Sequence, residues 1–260
     1  LYATFGRLRM PRRRIAMQER ASHFIRSVQA QMQHREPRAM ANVPPALQPA
    51  ATLAEKLGDF HTTTGNAFEL FAGYETSINR LIADIDAARH HVHLLYYIFA
   101  CDATGRRVTD ALLRAAQRHV QVRVMMDAIG SKRALRKLAP QLRAAGIDVQ
   151  AMLPVGFFRS KSARFDLRNH RKIAVLDGIM AYTGSQNIVD PEFIPGCPNE
   201  ELVVRATGPV VAQLQAVFLA DHYFETGVTF EQPAFFPELA ATGDSAAQIL
   251  PSGPGYQREN

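Results

Sequence analysis

The sequence predicts an α/β domain, a largely parallel or mixed central sheet with helices on both faces. Three observations predict it. Short apolar, β-branched runs alternate with amphipathic stretches between residues 74 and 153, at strand–helix–strand spacing. The run from Val92 to Ala100 is apolar without alternation, as in a strand covered on both sides. The 260 residues are 47% hydrophobic, enough for one main core with extensions.

In chain order, residues 15–36 read as a helix and Pro37 to Pro49 as a linker. Thr52 to Leu57 reads as a short helix, His61 to Gly65 as a polar turn, and Asn66 to Ala72 as a strand. Tyr74 to Arg89 carries Ile78, Leu81, Ile82 and Ile85 on one helical face. After the Val92 strand, Thr104 to His119 turns Val108, Ala111, Leu112 and Ala115 inward. Gln121 to Met126 is the next strand. Ser131 to Ala145 is a helix that Pro140 kinks and Gly146 ends, and Ile147 to Leu153 is the following strand. Right-handed crossovers make these units parallel. A long basic loop, Pro154 to Asn169, leads into a strand at Lys172 to Leu176. Asp177-Gly178 is a hairpin turn, with Ile179 to Thr183 returning. Glu201 to Ala206 is a strand, and Pro209 opens a final helix reaching about Glu225. The tail after Gly227, with four prolines, reads as a connector.

The chemistry concentrates between Arg168 and Asn187. His170, Lys172 and Asp177 form H-x-K-x4-D, and Gly184-Ser185-Gln186-Asn187 follows as G-S-x-N. Residues two apart on a strand share a face, so His170 projects with Lys172, and Ser185 with Asn187. A nucleophilic nitrogen, a cation and neutral donors aimed at one point are what a tetrahedral phosphate needs. Taken singly, Asp177 reads equally as a turn residue, and Ser185 and Asn187 as turn or cap residues.

Other constellations carry less. His90, His91 and His93 lack a carboxylate or thiol to complete a metal set, so no metal or cofactor is implied. Asp102 and Asp127 read as helix caps near strand ends. Cys101 and Cys197 have neither disulfide-framework nor zinc spacing, and read as reduced thiols. Of the formal net charge of +6, residues 1–40 carry +7, from nine arginines against Glu19 and Glu36. The near-neutral remainder speaks against a nucleic-acid groove, and the basic arm suits anionic lipid headgroups or plain solvent. No run reaches the length of a membrane span, and no cleavable signal is recognisable.

The segments RNHRKIAVLDG and TGSQN resemble the HKD motif of the phospholipase D superfamily, and most of all the bacterial cardiolipin synthases. The stretches DIDAARHHVHLLYYIF, LRAAGIDV and VRATGPVVAQLQAVFLADHYFETG are similar to that family's first catalytic half, so the likeness spans residues 65–260. The resemblance implies a phospholipase D-like α-β-α sandwich. It also implies transfer of a phosphatidyl group between phosphatidylglycerol molecules through a phosphohistidine at His170. Lys172, Ser185 and Asn187 would bind phosphate. A glutamate would orient the nucleophile: Glu200 by motif match, with Glu201 the alternate. Water as acceptor, giving a phospholipase or nuclease, and an inactive fragment are the alternative readings.

The expected organisation is a basic juxtamembrane arm with a Pro-rich linker (1–50), a first catalytic domain (51–227) and a connector toward a second half (228–260). Only one H-x-K-x4-D is present, so the expected partner is that second half or a second copy of the chain, with anionic membrane lipids and no nucleic acid. The chain begins at Leu1, and the resemblance implies that Arg7 to Arg14 is the cytoplasmic flank of membrane helices missing here. The resemblance places it at the bacterial inner membrane, cytoplasmic side.

Overall fold

In the computed structural model, the described residues are 12–33, 43–153, 168–229 and 233–252. Most of the Arg7 to Arg14 flank, residues 37–42 of the Pro37 to Pro49 linker, the basic loop up to residue 167 and the last residues of the tail lie outside them. Eight strands form one sheet: β1 (Thr63–Phe71), β2 (His91–Tyr96), β3 (Gln121–Asp127), β4 (Asp148–Met152), β5 (Ile173–Leu176), β6 (Met180–Gly184), β7 (Val203–Thr207) and β8 (Ser245–Ala247). Their order is β4-β3-β2-β5-β6-β7-β1-β8. β2, β3 and β4 are parallel, as their crossovers require, and every pair from β2–β5 onward is antiparallel. The sheet is therefore mixed.

The helices are α1 (Arg12–Gln33), α2 (Gln48–Gly58), α3 (Tyr74–Ala87), α4 (Ala103–Gln117), α5 (Lys132–Lys137), α6 (Ala139–Ala144) and α7 (Val210–Thr226). Pro140 lies in the first turn of α6, where its missing N–H costs nothing, and the single helix expected there breaks at Leu138. Asp102 caps α4, its carboxylate accepting from the Gly105 N–H at 2.9 Å, as expected. Gly227, at φ 73°, closes α7 in the left-handed region.

Alternation along the central strands divides the interior into two cores. Leu94, Val124, Met126, Ala174 and Leu176 pack on one face against Ile78, Leu81 and Ile85 of α3, Leu112 of α4 and Leu142 of α6. Leu95, Met125, Ile173 and Val175 pack on the other against Val211, Leu214, Phe218 and Leu219 of α7. α7 is buried on all sides from Val210 to Tyr223, which its apolar sequence without a polar face anticipates.

Two boundaries differ from the sequence expectation. The helix expected over residues 15–36 forms over Arg12–Gln33, but instead of lying in a free basic arm it buries Ala21, Ile25 and Val28 in the α7 core. Residues after 228, placed in a connector, insert Phe235 into that core and add β8 to the edge of β1. Each fully buried Phe or Ile contributes roughly 1.5–3 kcal/mol, which outweighs the local polarity that suggested an arm and a linker. The strand expected over Val92 to Ala100 ends at Tyr96, and Phe99 then bridges to Ile188.

Candidate active site

The antiparallel order of β2, β5, β6 and β7 brings four chain segments to one end of the sheet. The chain leaves β2 there, enters β5, leaves β6 and enters β7. Tyr97, then His170 and Lys172, then Ser185 and Asn187, then Glu200 and Glu201 are the residues at those four exits and entries.

His170 is held by its neighbours. Arg168 donates to Asp127 (Nε–Oδ2 2.9 Å) and to the carbonyls of Leu153 (2.9 Å) and Met152 (3.2 Å). Asn169 and Arg171 both turn to Asp221 of α7, at 3.0 and 2.7 Å. Burial raises the Asp221 carboxyl, opposed by Arg171 and Asn169. With 169 and 171 pinned to the α7 side, alternation sends His170 and Lys172 to the opposite side. His170 is exposed, and its ring packs on Tyr97 with centroids 4.1 Å apart and planes inclined by 39°.

Lys172 donates to the His170 carbonyl at 2.7 Å and lies 5.9 Å from the centre of the Tyr97 ring. Burial holds its ammonium below the usual lysine value, and the charge of Glu201 pulls it back up. Lys172 and Asn187 share a small cavity of ≈ 10 Å³, about the space of one water. Asn187 accepts the Ile98 N–H through Oδ1 at 2.9 Å, which turns its NH2 away as a free donor. Gln186, between exposed Ser185 and half-buried Asn187, is buried; it accepts from Ser77 and donates to the Tyr74 carbonyl at 3.1 Å, locking this turn onto α3. Gly184, at φ 157°, lies so close to β7 that a Cβ would meet the Leu202 carbonyl oxygen at 2.2 Å.

Three expected site residues stand elsewhere or are otherwise engaged. Asp177 lies beyond the far end of β5, roughly 20 Å of strand from His170. Its carboxylate accepts the N–H groups of Arg89 (2.9 Å), His90 (2.7 Å) and His91 (2.9 Å). Asp177 and Gly178 both have positive φ, 52° and 69°, so the turn itself is as expected. The Ser185 hydroxyl accepts the Leu202 N–H at 3.0 Å and donates to the Leu202 carbonyl at 3.4 Å, extending the β6–β7 ladder. Glu200 is exposed. Glu201 is half-buried and shares strand parity with Val203, which lines the Lys172 cavity, so Glu201 is the carboxylate that faces Lys172. Motif matching favoured Glu200 with Glu201 as the alternate; of the two, Glu201 is the one whose charge acts on Lys172.

Tyr97 and Arg168 escaped the sequence reading. Tyr97 follows the end of a parallel strand, where α/β ligands bind, and that position was its only signal. Asp127, expected as a helix cap, accepts Arg168 and the N–H groups of Ile129 and Gly130 instead. Among the described residues no three His, Cys, Asp or Glu form a metal-ligand group. His91 and His93 are buried ring-to-ring at 4.6 Å, and His93 stacks on Phe218.

The family model described as "Cardiolipin synthase, PLD-like domain" matches residues 81–222, which include every residue of this cluster. Cardiolipin synthase A of Proteus mirabilis (strain HI4320) is 33% identical over 99% of this chain and 55% of its own length. Cardiolipin synthase A of Yersinia pestis is 32% identical, with the same coverage. The chain thus spans about half the length of these curated relatives. Among solved structures, NucT from Helicobacter pylori aligns with 59% of this chain and 93% of its own, at 19% identity and TM-score 0.47. Phosphatidylserine synthase of Haemophilus influenzae Rd KW20 aligns with 60% of this chain and 36% of its own, at 17% identity and TM-score 0.47. On the family match, the chain belongs to the cardiolipin synthase group of phospholipase D-like domains.

Proposed function

We propose that the chain is one catalytic half of a cardiolipin synthase-type phosphatidyltransferase. The observation that carries this reading is the convergence of His170, Lys172, Asn187 and Glu201 at one sheet end. A His170 ring nitrogen attacks the phosphorus of a phosphatidylglycerol, and the bond from phosphorus to the glycerol headgroup oxygen breaks. Lys172 and the Asn187 NH2 hold the non-bridging oxygens as charge builds. The leaving oxygen takes a proton from a second histidine on the partner half. A hydroxyl of a second phosphatidylglycerol then attacks phosphorus, its proton passes to that histidine, and the P–N bond breaks. Cardiolipin and glycerol are the products. Glu201, on the Lys172 side of the sheet, positions the basic groups.

The partner is the second half of the same protein or a second copy of this chain. Supporting it, Leu70 and Leu202 are 65% and 51% exposed at the same sheet end, and Leu70 pairs with Val204 on the face opposite Lys172. An apolar patch beside an open, single-nucleophile site suits a docked partner. The membrane assignment rests on the relatives' names and the basic N-terminal composition. Among the described residues no helix is long and apolar enough to cross a bilayer.

The test is co-expression with the downstream half and phosphatidylglycerol as substrate. The wild type forms cardiolipin and a covalent adduct stable to base and labile to acid. His170→Ala forms neither. An adduct that persists in His170→Ala refutes the assignment of the nucleophile, and phosphatidate as the sole product makes water the acceptor.

A further inference from the structure

A second space, near the Tyr97 ring, is unused by the phosphate cluster. It is a cavity of ≈ 470 Å³ between the chain leaving β2 (Ile98 to Asp102), the turn after β3 (Ile129 to Arg133) and the loop after β6 (Asp190 to Phe193). That volume is within the range of small-molecule sites. Tyr97 links it to His170. Gly130 lines the cavity, and a Cβ there would stand 3.3 Å from Tyr97 Cε2, on the ring that packs against His170.

The lining is amphiphilic. Ile98, Phe99, Ile129 and Phe193 are apolar, and Ile129 and Phe193 are 43% and 51% exposed at the rim. Two of the three carboxylates are occupied at the start of α4. Asp102 accepts from Gly105 (2.9 Å) and from the Asp190 N–H (2.8 Å). Asp190 accepts from Ala103 (3.2 Å) and Thr104 (2.8 Å). The side chains of Lys132, Arg133 and Glu192 make no hydrogen bond or ion pair among the described residues.

Two cations and one carboxylate that are unpaired among the described residues, with apolar walls, call for a ligand with an anion, a hydroxyl and hydrocarbon. We infer that this cavity is the acceptor subsite, holding the phosphoglycerol headgroup of the attacking lipid. Lys132 and Arg133 take its phosphate, Glu192 accepts from a glycerol hydroxyl, and the apolar wall takes the start of the acyl chains. The subsite rests on the transferase reading above and determines whether a lipid hydroxyl or water reaches the His170 adduct.

Cys101 lines the same cavity and is half-exposed, which gives a readout independent of turnover. In a Cys197→Ser background, alkylation of Cys101 by N-ethylmaleimide is followed with dihexanoylphosphatidylglycerol kept below its micelle concentration. The lipid slows alkylation of the otherwise unmodified chain and of His170→Ala alike. The double variant Lys132→Glu/Arg133→Glu, exposed and away from the core, needs at least about tenfold more lipid for the same protection, the loss of one charge-assisted contact. Glycerol 3-phosphate protects only at higher concentration, since it lacks hydrocarbon. Absence of protection, or protection unchanged in the double variant, overturns the subsite even if His170 proves to be the nucleophile. Equal protection by glycerol 3-phosphate overturns its assignment to a lipid.

Discussion

Arg168→Met is expected to be the most informative stability variant, because it strands the buried charge of Asp127 and acts two residues from His170. The side chains of Arg168 and Asp127 are 4% and 0% exposed, and their closest atoms are 2.7 Å apart. The substitution removes that pair and the guanidinium bonds to Leu153 and Met152. Asp127 keeps the N–H groups of Ile129 and Gly130 but loses its counter-charge. Breaking one side of a buried pair costs about 3–5 kcal/mol. For a chain of this size that lowers Tm by on the order of 10 °C. Adding Asp127→Asn removes the stranded charge and keeps an acceptor for both N–H groups. The double variant should therefore be more stable than Arg168→Met by about 1–3 kcal/mol. Urea unfolding followed by circular dichroism, run as a double-mutant cycle, measures both quantities. A cost under about 1 kcal/mol for Arg168→Met, or simple additivity in the cycle, would refute the reasoning.

Three further outcomes are expected. Asp177→Ala loses three N–H acceptor contacts and should cost about 2–4 kcal/mol, while the folded protein keeps its activity. A hundredfold-order loss of turnover at unchanged stability would return Asp177 to the chemistry. Glu201→Gln should lower transfer by about tenfold or more while Glu200→Gln leaves it unchanged; the reverse order would reinstate Glu200. Burial lowers His91 to about 4, the charge of Asp177 opposing. Between the ordinary histidine value and about 4 the unfolded chain binds a proton that the native state refuses. Stability is therefore full above that window, falls as pH falls through it, and levels off below, by about 3 kcal/mol in all. His91→Phe should reduce that slope in urea midpoints measured from pH 7 to 4.5, leaving the share of His93, which burial lowers in the same way, and an unchanged slope counts against it.

What was local in this protein was legible in its sequence. The two-face burial of Leu94 and Leu95, the hairpin at Asp177-Gly178, the cap at Asp102 and the shared face of His170 and Lys172 follow from periodicity and backbone preference over a few residues. The motif singled out His170 and Lys172 for the same reason, since they are two residues apart. Non-local pairing was not legible. Placing β5 between β2 and β6 is what brings Tyr97 to His170 and Asn187 to Lys172. The choice of Glu201 over Glu200 depends on the register of β7 against β6, where a shift of one residue exchanges the two faces. The arginine at 168 reads as one more charge in a basic loop until β3 and β4 close around it. Likewise, α1 and the segment around Phe235 look polar or connecting in sequence and become core only because α7 presents an apolar surface on every side. Sequence determined which groups this chain can offer a phosphate; strand order and register decided which of them meet.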